Sequence, residues 1–411
     1  MIGAIVTAVG FWLVGAAVRR LIGGGARFLL GLGTTGLVLH VALLAGVPPI
    51  PVLVAIGAGS ILTLFLVRRR AAEPPPRTPA AAWVMIVAPV VFLLFVTAIV
   101  PLADYDGRAF WLLKAKAIAV EGEIDGPYFS GQGGHNPKNE YPLLVPLAAA
   151  AVMITAGDID DMQVRWIYVL ALGSLALHAR RWAGAWPAAL ITWLPQFAVE
   201  PQGSALSAYN DIVLAAFAAC AFFEIVERTS PLRFGVWISF LLLTKNEGLP
   251  FAILLLAAAA FVWRGRVLRA LPPFALALTT LFVWRLRVQP TDDDPLLALL
   301  PTLPERLERL GPAVAGLLSH AASLERWGLF WFAVVAALVL LAVRREWQFA
   351  GVPVFLMAGM SAVYVAAYMV TTWHMPDHIA VSADRLLMHL VGPAVYLLSA
   401  AAARAPLSSR A

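Results

Sequence analysis

The sequence predicts an all-α polytopic membrane protein of about thirteen transmembrane helices, and three observations predict it. Hydrophobic residues make up 61% of the 411 and charged residues only 13%, about half the charged share of a soluble domain. The apolar segments are continuous runs of ~15–22 residues, the length of a membrane helix, not alternating strands of ~10. Basic residues gather at the ends of these runs, as they do on the cytoplasmic side of membrane proteins.

Taking the basic clusters as cytoplasmic orders the elements. They fall at Arg19/Arg20/Arg27, Arg68/Arg69/Arg70/Arg77, Arg180/Arg181, Arg228/Arg233, Arg264/Arg266/Arg269, Arg344/Arg345 and Arg404/Arg410. The N-terminus is then outside and the C-terminus inside. Spans 2–18, 28–45 and 50–67 form an N-terminal three-helix unit, residues 1–70. The first run lacks a basic leader and a cleavage site, so it reads as a retained helix. The Pro-rich stretch 71–81 is a cytoplasmic linker. A core follows over 82–290, with spans 82–101, 164–178, 184–199, 210–226, 233–246, 248–263 and 271–287. Spans 327–343, 350–371 and 385–402 complete the count in the C-terminal unit, 327–411.

One apolar run, PLLVPLAAAAVMITA at 142–156, breaks this scheme. If it crossed, Arg180 and Arg181 would fall outside. It therefore reads as an interfacial or re-entrant helix on the external side, where the acidic DIDD at 158–161 also belongs. External loops then cover 102–163, about 288–326 and 372–384, with a short turn at 200–210. The region 291–326 opens with TDDDP, a solvated loop. It continues with apolar residues at helical spacing and charges opposite, which suits a helix on the membrane surface. Cys220 can form no internal disulfide and reads as a small buried hydrophobe. The net charge of +6 is explained by topology, and no nucleic-acid partner is expected.

The stretch ADYDGRAFWLLKAKAI at 103–118 carries the chemistry. Asp104 and Asp106 stand at the external mouth of a span. A carboxylate there is costly unless solvated, paired or used. Lys114 and Lys116 follow. They are two apart and do not share a narrow helix face, but both can reach the headgroup level by snorkelling. One reading is an interfacial helix anchored by Trp111 and the lysines. The other is a reaction on a phosphorylated lipid, in which an acid takes a proton from a hydroxyl and cations hold the departing phosphate.

Other polar residues stand out against the apolar background. Asp211 could orient an acceptor, coordinate a divalent ion, or cap the helix after it. Lys245 and Glu247 lie with Asn246 among apolar residues. They form either a phosphate or lipid contact, or a buried pair holding a broken helix together. Arg385 is a phosphate clamp or an interfacial anchor. His374, Asp377 and His378 form W-H-M-P-D-H, but Pro376 weakens any metal geometry, so no metal ligand set is assigned. His135, in GQGGHNPKNEYP, lies on a loop suited to folding over a substrate.

The pattern D-G-R-A-F-W-L-L-K-A-K at 106–116, followed after a polar loop by N-E-Y-P-L-L-V-P-L at 139–147, resembles the GT-C superfamily of integral-membrane glycosyltransferases. The likeness is to the branch with bacterial lipid-A aminoarabinose transferases and protein O-mannosyltransferases. GSALSAYNDI at 203–212, LLLTKNEGLP at 241–250 and SADRLLMHLVGP at 382–393 agree in order. The resemblance covers about 82–290 and the last helix. The first three helices and 288–326 lie outside it.

The resemblance implies a sugar moved from a polyprenyl-phosphate donor to a hydroxyl on a glycan, lipid or protein acceptor, with inversion. It implies a bacterial inner-membrane location with the active site facing the periplasm. Asp106 would be the base, with Asp104 as its partner. Lys114, Lys116, Lys245 and Arg385 would hold the phosphate. Two departures matter. Many relatives have Glu after the first acid, where this chain has Gly107. Their signature lysine is missing from Glu140-Tyr141-Pro142, so Lys138 or Lys114/Lys116 would substitute. No soluble nucleotide-binding domain is present, which argues against a nucleotide-sugar donor. No cofactor is expected beyond a divalent ion, for which Asp211 and Asp104 are the candidate ligands. The rival readings are a transporter or flippase of lipid-linked sugars, which an inverted repeat would favour, and a non-catalytic envelope-assembly protein.

Overall fold

The computed structural model describes residues 2–68, 78–131, 138–288 and 299–402, and among them the chain is helical with no strand. Helices α1 (Ile2–Ile22) and α2 (Arg27–Leu44) form a hairpin. It turns on Gly23 and Gly24, whose φ of 82° and 98° suits residues without a Cβ. A Cβ on Gly15 would lie 1.7 Å from the Arg27 carbonyl oxygen, and one on Gly31 1.7 Å from that of Phe11. Backbones this close need glycine, a common device where membrane helices meet. Helix α3 (Pro49–Leu66) starts on a proline, whose fixed φ suits a first turn, and α4 (Ala80–Ile99) follows.

After α4 come a π-helical turn, Gly107–Trp111, and α5 (Leu112–Glu121), which Gly122 ends in the left-handed conformation. Helix α6 (Leu144–Ala156) is next, then α7 (Trp166–Ala183), α8 (Ala185–Trp193) and the single turn α9 (Pro195–Ala198). Helix α10 (Asp211–Val226) is buried from Asp211 to Ile225 and is the axis of the core. Helices α11 (Pro231–Leu242), α12 (Gly248–Trp263) and α13 (Leu271–Arg287) pack beside it. A 3-10 segment, Leu300–Arg309, leads to α14 (Leu310–Ala321), α15 (Phe330–Val343), α16 (Trp347–Val370), α17 (Met375–Met388) and α18 (Val391–Ala402).

Among the described residues six helical runs are long and apolar enough to cross a membrane: α1, α2, α3, α4, Gly248–Arg287 and α16. The pair α17–α18, bent by 52°, makes a seventh. The run Gly248–Arg287 doubles back on itself, since Arg285 near its end donates to Asn246 beside its start. Helices α6, α11 and α15 are apolar but have 13, 12 and 14 residues. At ~1.5 Å per residue they are shorter than the ~30 Å hydrocarbon layer. The chain is thus a helical membrane protein by the length and composition of these runs.

One sequence expectation reads differently in three dimensions. The run 142–156 does not lie on a surface: Leu144 to Met153 are buried in protein. A Cβ on Gly36 of α2 would touch the Leu144 carbonyl oxygen, and one on Gly3 of α1 would touch Ala156. The same contacts join the N-terminal helices to the core, so they do not stand apart from it. In the amphipathic stretch after 299, Arg306 and Arg309 donate to the carbonyls of Met369, Val370 and Thr371. Basic side chains there satisfy the open end of α16, while Leu300, Leu307, Leu310 and Leu318 stay exposed, as on a surface helix. His135, most of the Pro-rich linker and TDDDP lie outside the described residues.

Candidate active site

The polar residues singled out in the sequence gather at one end of the bundle. Asp104 and Asp106 follow α4, Asp211 begins α10, Lys245 and Glu247 occupy the break between α11 and α12, and Arg385 lies on α17. Helix α10 has 16 residues and α11 has 12. They place this layer ~18–24 Å from the opposite end of those two helices.

The break at 243–247 is built by local bonds. Thr244 Oγ1 donates to the Phe240 carbonyl at 2.7 Å, and the Leu243 carbonyl accepts from the Leu144 amide at 3.0 Å. The opened turn points Lys245 inward. Its Nζ lies 2.9 Å from Asp211 Oδ1 and 2.9 Å from Glu247 Oε1. His389 Nε2 is 3.2 Å from the same Asp211 oxygen, and its Nδ1 is 2.9 Å from the Tyr364 hydroxyl. Asp211 and His389 are fully buried. Such a group must be paired where it is dry. Asp211 therefore serves the cluster with its side chain and does not cap α10, where Asn210 precedes it.

Asp106 and Arg385 form the open part of the site. Arg385 Nη1 is 3.6 Å from Asp106 Oδ2, with 44% of the aspartate side chain exposed and 16% of the arginine. That is ion-pair range but longer than a hydrogen bond. The guanidinium also stands 4.9 Å from the Tyr209 ring centre. Its buried Nε has no hydrogen-bond partner. Asp104 accepts from the Gly107 amide at 3.4 Å and from the Tyr209 hydroxyl. Its pKa is raised, first by burial, although both bonds oppose the rise. The Tyr209 phenol is raised too, by burial and then by Asp106.

Gly107 explains the departure noted in the sequence. A Cβ there would lie 2.0 Å from the Ser207 carbonyl oxygen. The strip after Asp106 and the strip before Asp211 touch backbone to backbone, so no side chain fits at 107.

Several expected phosphate ligands are engaged elsewhere. Lys116 pairs with Asp161 at 2.9 Å. Lys114 is buried, donates to the Lys138 carbonyl at 2.7 Å and lies 3.7 Å from the Phe110 ring centre. Burial pushes its pKa well down, and Glu140 pulls it back up. Lys245 stands between two carboxylates, and with both ionised the trio is net negative. Lys138 Nζ stands over the rings of Tyr141 (5.8 Å) and Trp373 (5.5 Å). Tyr141 presents its edge to Phe110 at 5.5 Å, and its carbonyl accepts from Trp284 at 3.2 Å. Glu140 acts on Lys114 electrostatically. Among the described residues no group of three or more His, Cys, Asp or Glu could hold a metal. His374 bonds Asp377 at 3.0 Å and His378 bonds Thr371 at 2.8 Å, so they do not share a ligand position.

Sequence reasoning missed Tyr209, His389, Tyr364 and Asp384. One signal was legible. His378, Ser382, Arg385 and His389 recur at helical spacing and share one face of α17. Tyr368 and Tyr364, four apart on α16, meet two of them, at Ser382 and His389, each at 2.9 Å. Asp384, on another face, accepts from Trp327 at 2.9 Å and also binds His320 and Arg326, fastening the 310–327 segment to α17.

The fold and site define a helical membrane protein with a partly open cluster of ionised groups at one end of the bundle. Comparison of the chain with protein-family models, with curated proteins and with solved structures finds no match in any of the three.

Proposed function

We propose that this chain is an inverting membrane glycosyltransferase with a polyprenyl-phosphate sugar donor, acting at the periplasmic face of a bacterial inner membrane. The observation that carries the reading is the placement of half-exposed Asp106 beside Arg385, 3.6 Å away. A base needs access to the incoming hydroxyl, and a departing phosphate needs a cation close by. Arg385 is not locked in a tight fork with Asp106 and keeps part of its side chain open to solvent, so a phosphate oxygen can join it.

In this reaction Asp106 takes the proton of the acceptor hydroxyl. The hydroxyl oxygen attacks the anomeric carbon from the face opposite the phosphate. The anomeric carbon–oxygen bond breaks, and its electron pair leaves with the polyprenyl phosphate. Arg385 holds that phosphate. The exposed apolar face of α4, with Trp83, Val87, Val91 and Phe95, suits contact with an isoprenoid tail. The Lys245 cluster holds α10, the break and α17 in register beneath the pair.

The test is Asp106→Asn with mass spectrometry of lipid-linked sugars. A transferase variant loses turnover, keeps donor binding, and lets the donor accumulate in cells. Retained flux with an intact product profile would instead identify a carrier.

A further inference from the structure

Lys114 is the residue that the proposed reaction leaves without a task. It has no exposed surface, so a phosphate cannot reach it. Its ammonium lies 3.7 Å from the Phe110 ring centre and 5.6 Å from those of Trp111 and Tyr141. The three rings meet edge to face: Phe110 and Trp111 at 4.5 Å, Phe110 and Tyr141 at 5.5 Å, Trp111 and Tyr141 at 5.7 Å. The ammonium also donates to the Lys138 carbonyl at 2.7 Å. One buried cation thus ties two strips of chain together. The first is the π-helical turn 107–111 directly after Asp106. The second is 138–141, which leads into α6.

A π-turn is rare and persists only where its surroundings hold it. Here the hold has two sides. The Ser207 carbonyl presses on Gly107 from one side. On the other, the rings at 110 and 111 close over Lys114. Cation–π attraction in a dry site and a charge-assisted hydrogen bond are both stronger than their exposed counterparts. We infer that Lys114 is a positioning residue: caged by Phe110, Trp111 and Tyr141, it fixes the π-turn that aims the Asp106 carboxylate and does not bind phosphate. Its role in catalysis rests on the transferase reading. Its role in ordering the two strips does not.

The experiment uses the full chain in lipid nanodiscs, with Lys114→Met and Lys114→Arg. Methionine fills an aromatic cage favourably, so the fold is retained while the charge and the bond to Lys138 are lost. Hydrogen–deuterium exchange is read over 107–116 and 138–144. K114M is expected to exchange there roughly tenfold faster or more, with α10 and α12 unchanged, and K114R to stay near wild type. In turnover with a polyprenyl-phosphate sugar, kcat is expected to fall ~100-fold in K114M, with KM within about twofold, and to recover largely in K114R. Unchanged exchange in K114M overturns the inference. So does a rise in donor KM at unaltered kcat, the signature of a direct phosphate ligand. If the wild-type protein turns over no such donor, the transferase reading fails, and the exchange data still decide the role of Lys114.

Discussion

Arg385 on α17 and Asp106 after α4 face each other across 3.6 Å, although they stand far apart in the chain. The pair is partly open to solvent, so its direct coupling is modest. A double-mutant cycle of Asp106→Asn with Arg385→Gln, read as the stability of the folded protein, is expected to give about 1 kcal/mol or less. Binding of bare polyprenyl phosphate should behave differently. It should weaken strongly in R385Q and change little in D106N, because only the arginine holds phosphate. Equal losses in both variants would remove Arg385 from that role.

Gly107 has no room for a side chain. Gly107→Ala puts a methyl against the Ser207 carbonyl, 2.0 Å from the site of the new carbon. Overpacking of this kind costs ~1–3 kcal/mol, measured here as a lower melting temperature. Gly59→Ala is the control, since that glycine has open space around it. If both variants melt alike, the close approach at 107 is not real.

The buried Lys245 cluster separates stability from chemistry. Lys245→Met alone leaves Asp211 and Glu247 without their cation and is expected to cost ~3–5 kcal/mol, whereas Asp211→Asn, which leaves Lys245 paired with Glu247, is expected to cost less. The double replacement Asp211→Leu with Lys245→Met should regain much of that loss. Thermal unfolding of the four proteins checks it. A double variant as unstable as the sum of the singles would show that the pair does not interact as placed.

Asp104 gives a pH dependence. Its pKa is raised on folding, with burial the first cause. The folded state then holds the proton more tightly than the unfolded one. The favourable contribution is present below the ordinary carboxylate value near pH 4. It is lost as pH rises through the raised value. Asp104→Asn removes this titration. The melting temperature of D104N minus that of wild type should therefore climb as pH rises from about 4 through the raised value and level off beyond it. A difference that falls over that range would reverse the sign and refute the placement.

Asp384 anchors the 310–327 segment. Asp384→Asn removes the charge that draws Arg326 and His320 to α17. Proteolysis within 300–327 should accelerate by about tenfold or more while cleavage elsewhere stays constant. Resistance equal to wild type would mean that Arg306 and Arg309 hold the segment on their own.

The sequence by itself determined the helical membrane class. Long apolar runs can satisfy their backbone only as helices, and that follows from composition without any partner. It also marked Asp106, Asp211, Lys245 and Arg385, because an ionisable residue at the edge of an apolar run is too costly to be incidental. Only the tertiary structure decided which of these groups face one another. Lys114 and Lys116 look alike in KAKAI, yet one is sealed under aromatic rings and the other reaches Asp161. Helix rotation about a neighbour sets that, and no local pattern records the neighbour. The same holds for 142–156, whose apolar run is equally consistent with lipid and with protein around it. Contacts with α1 and α2, far away in the chain, bury it. Gly107 read as a departure from a motif until a carbonyl from the 207 strip took up the space its side chain would have filled.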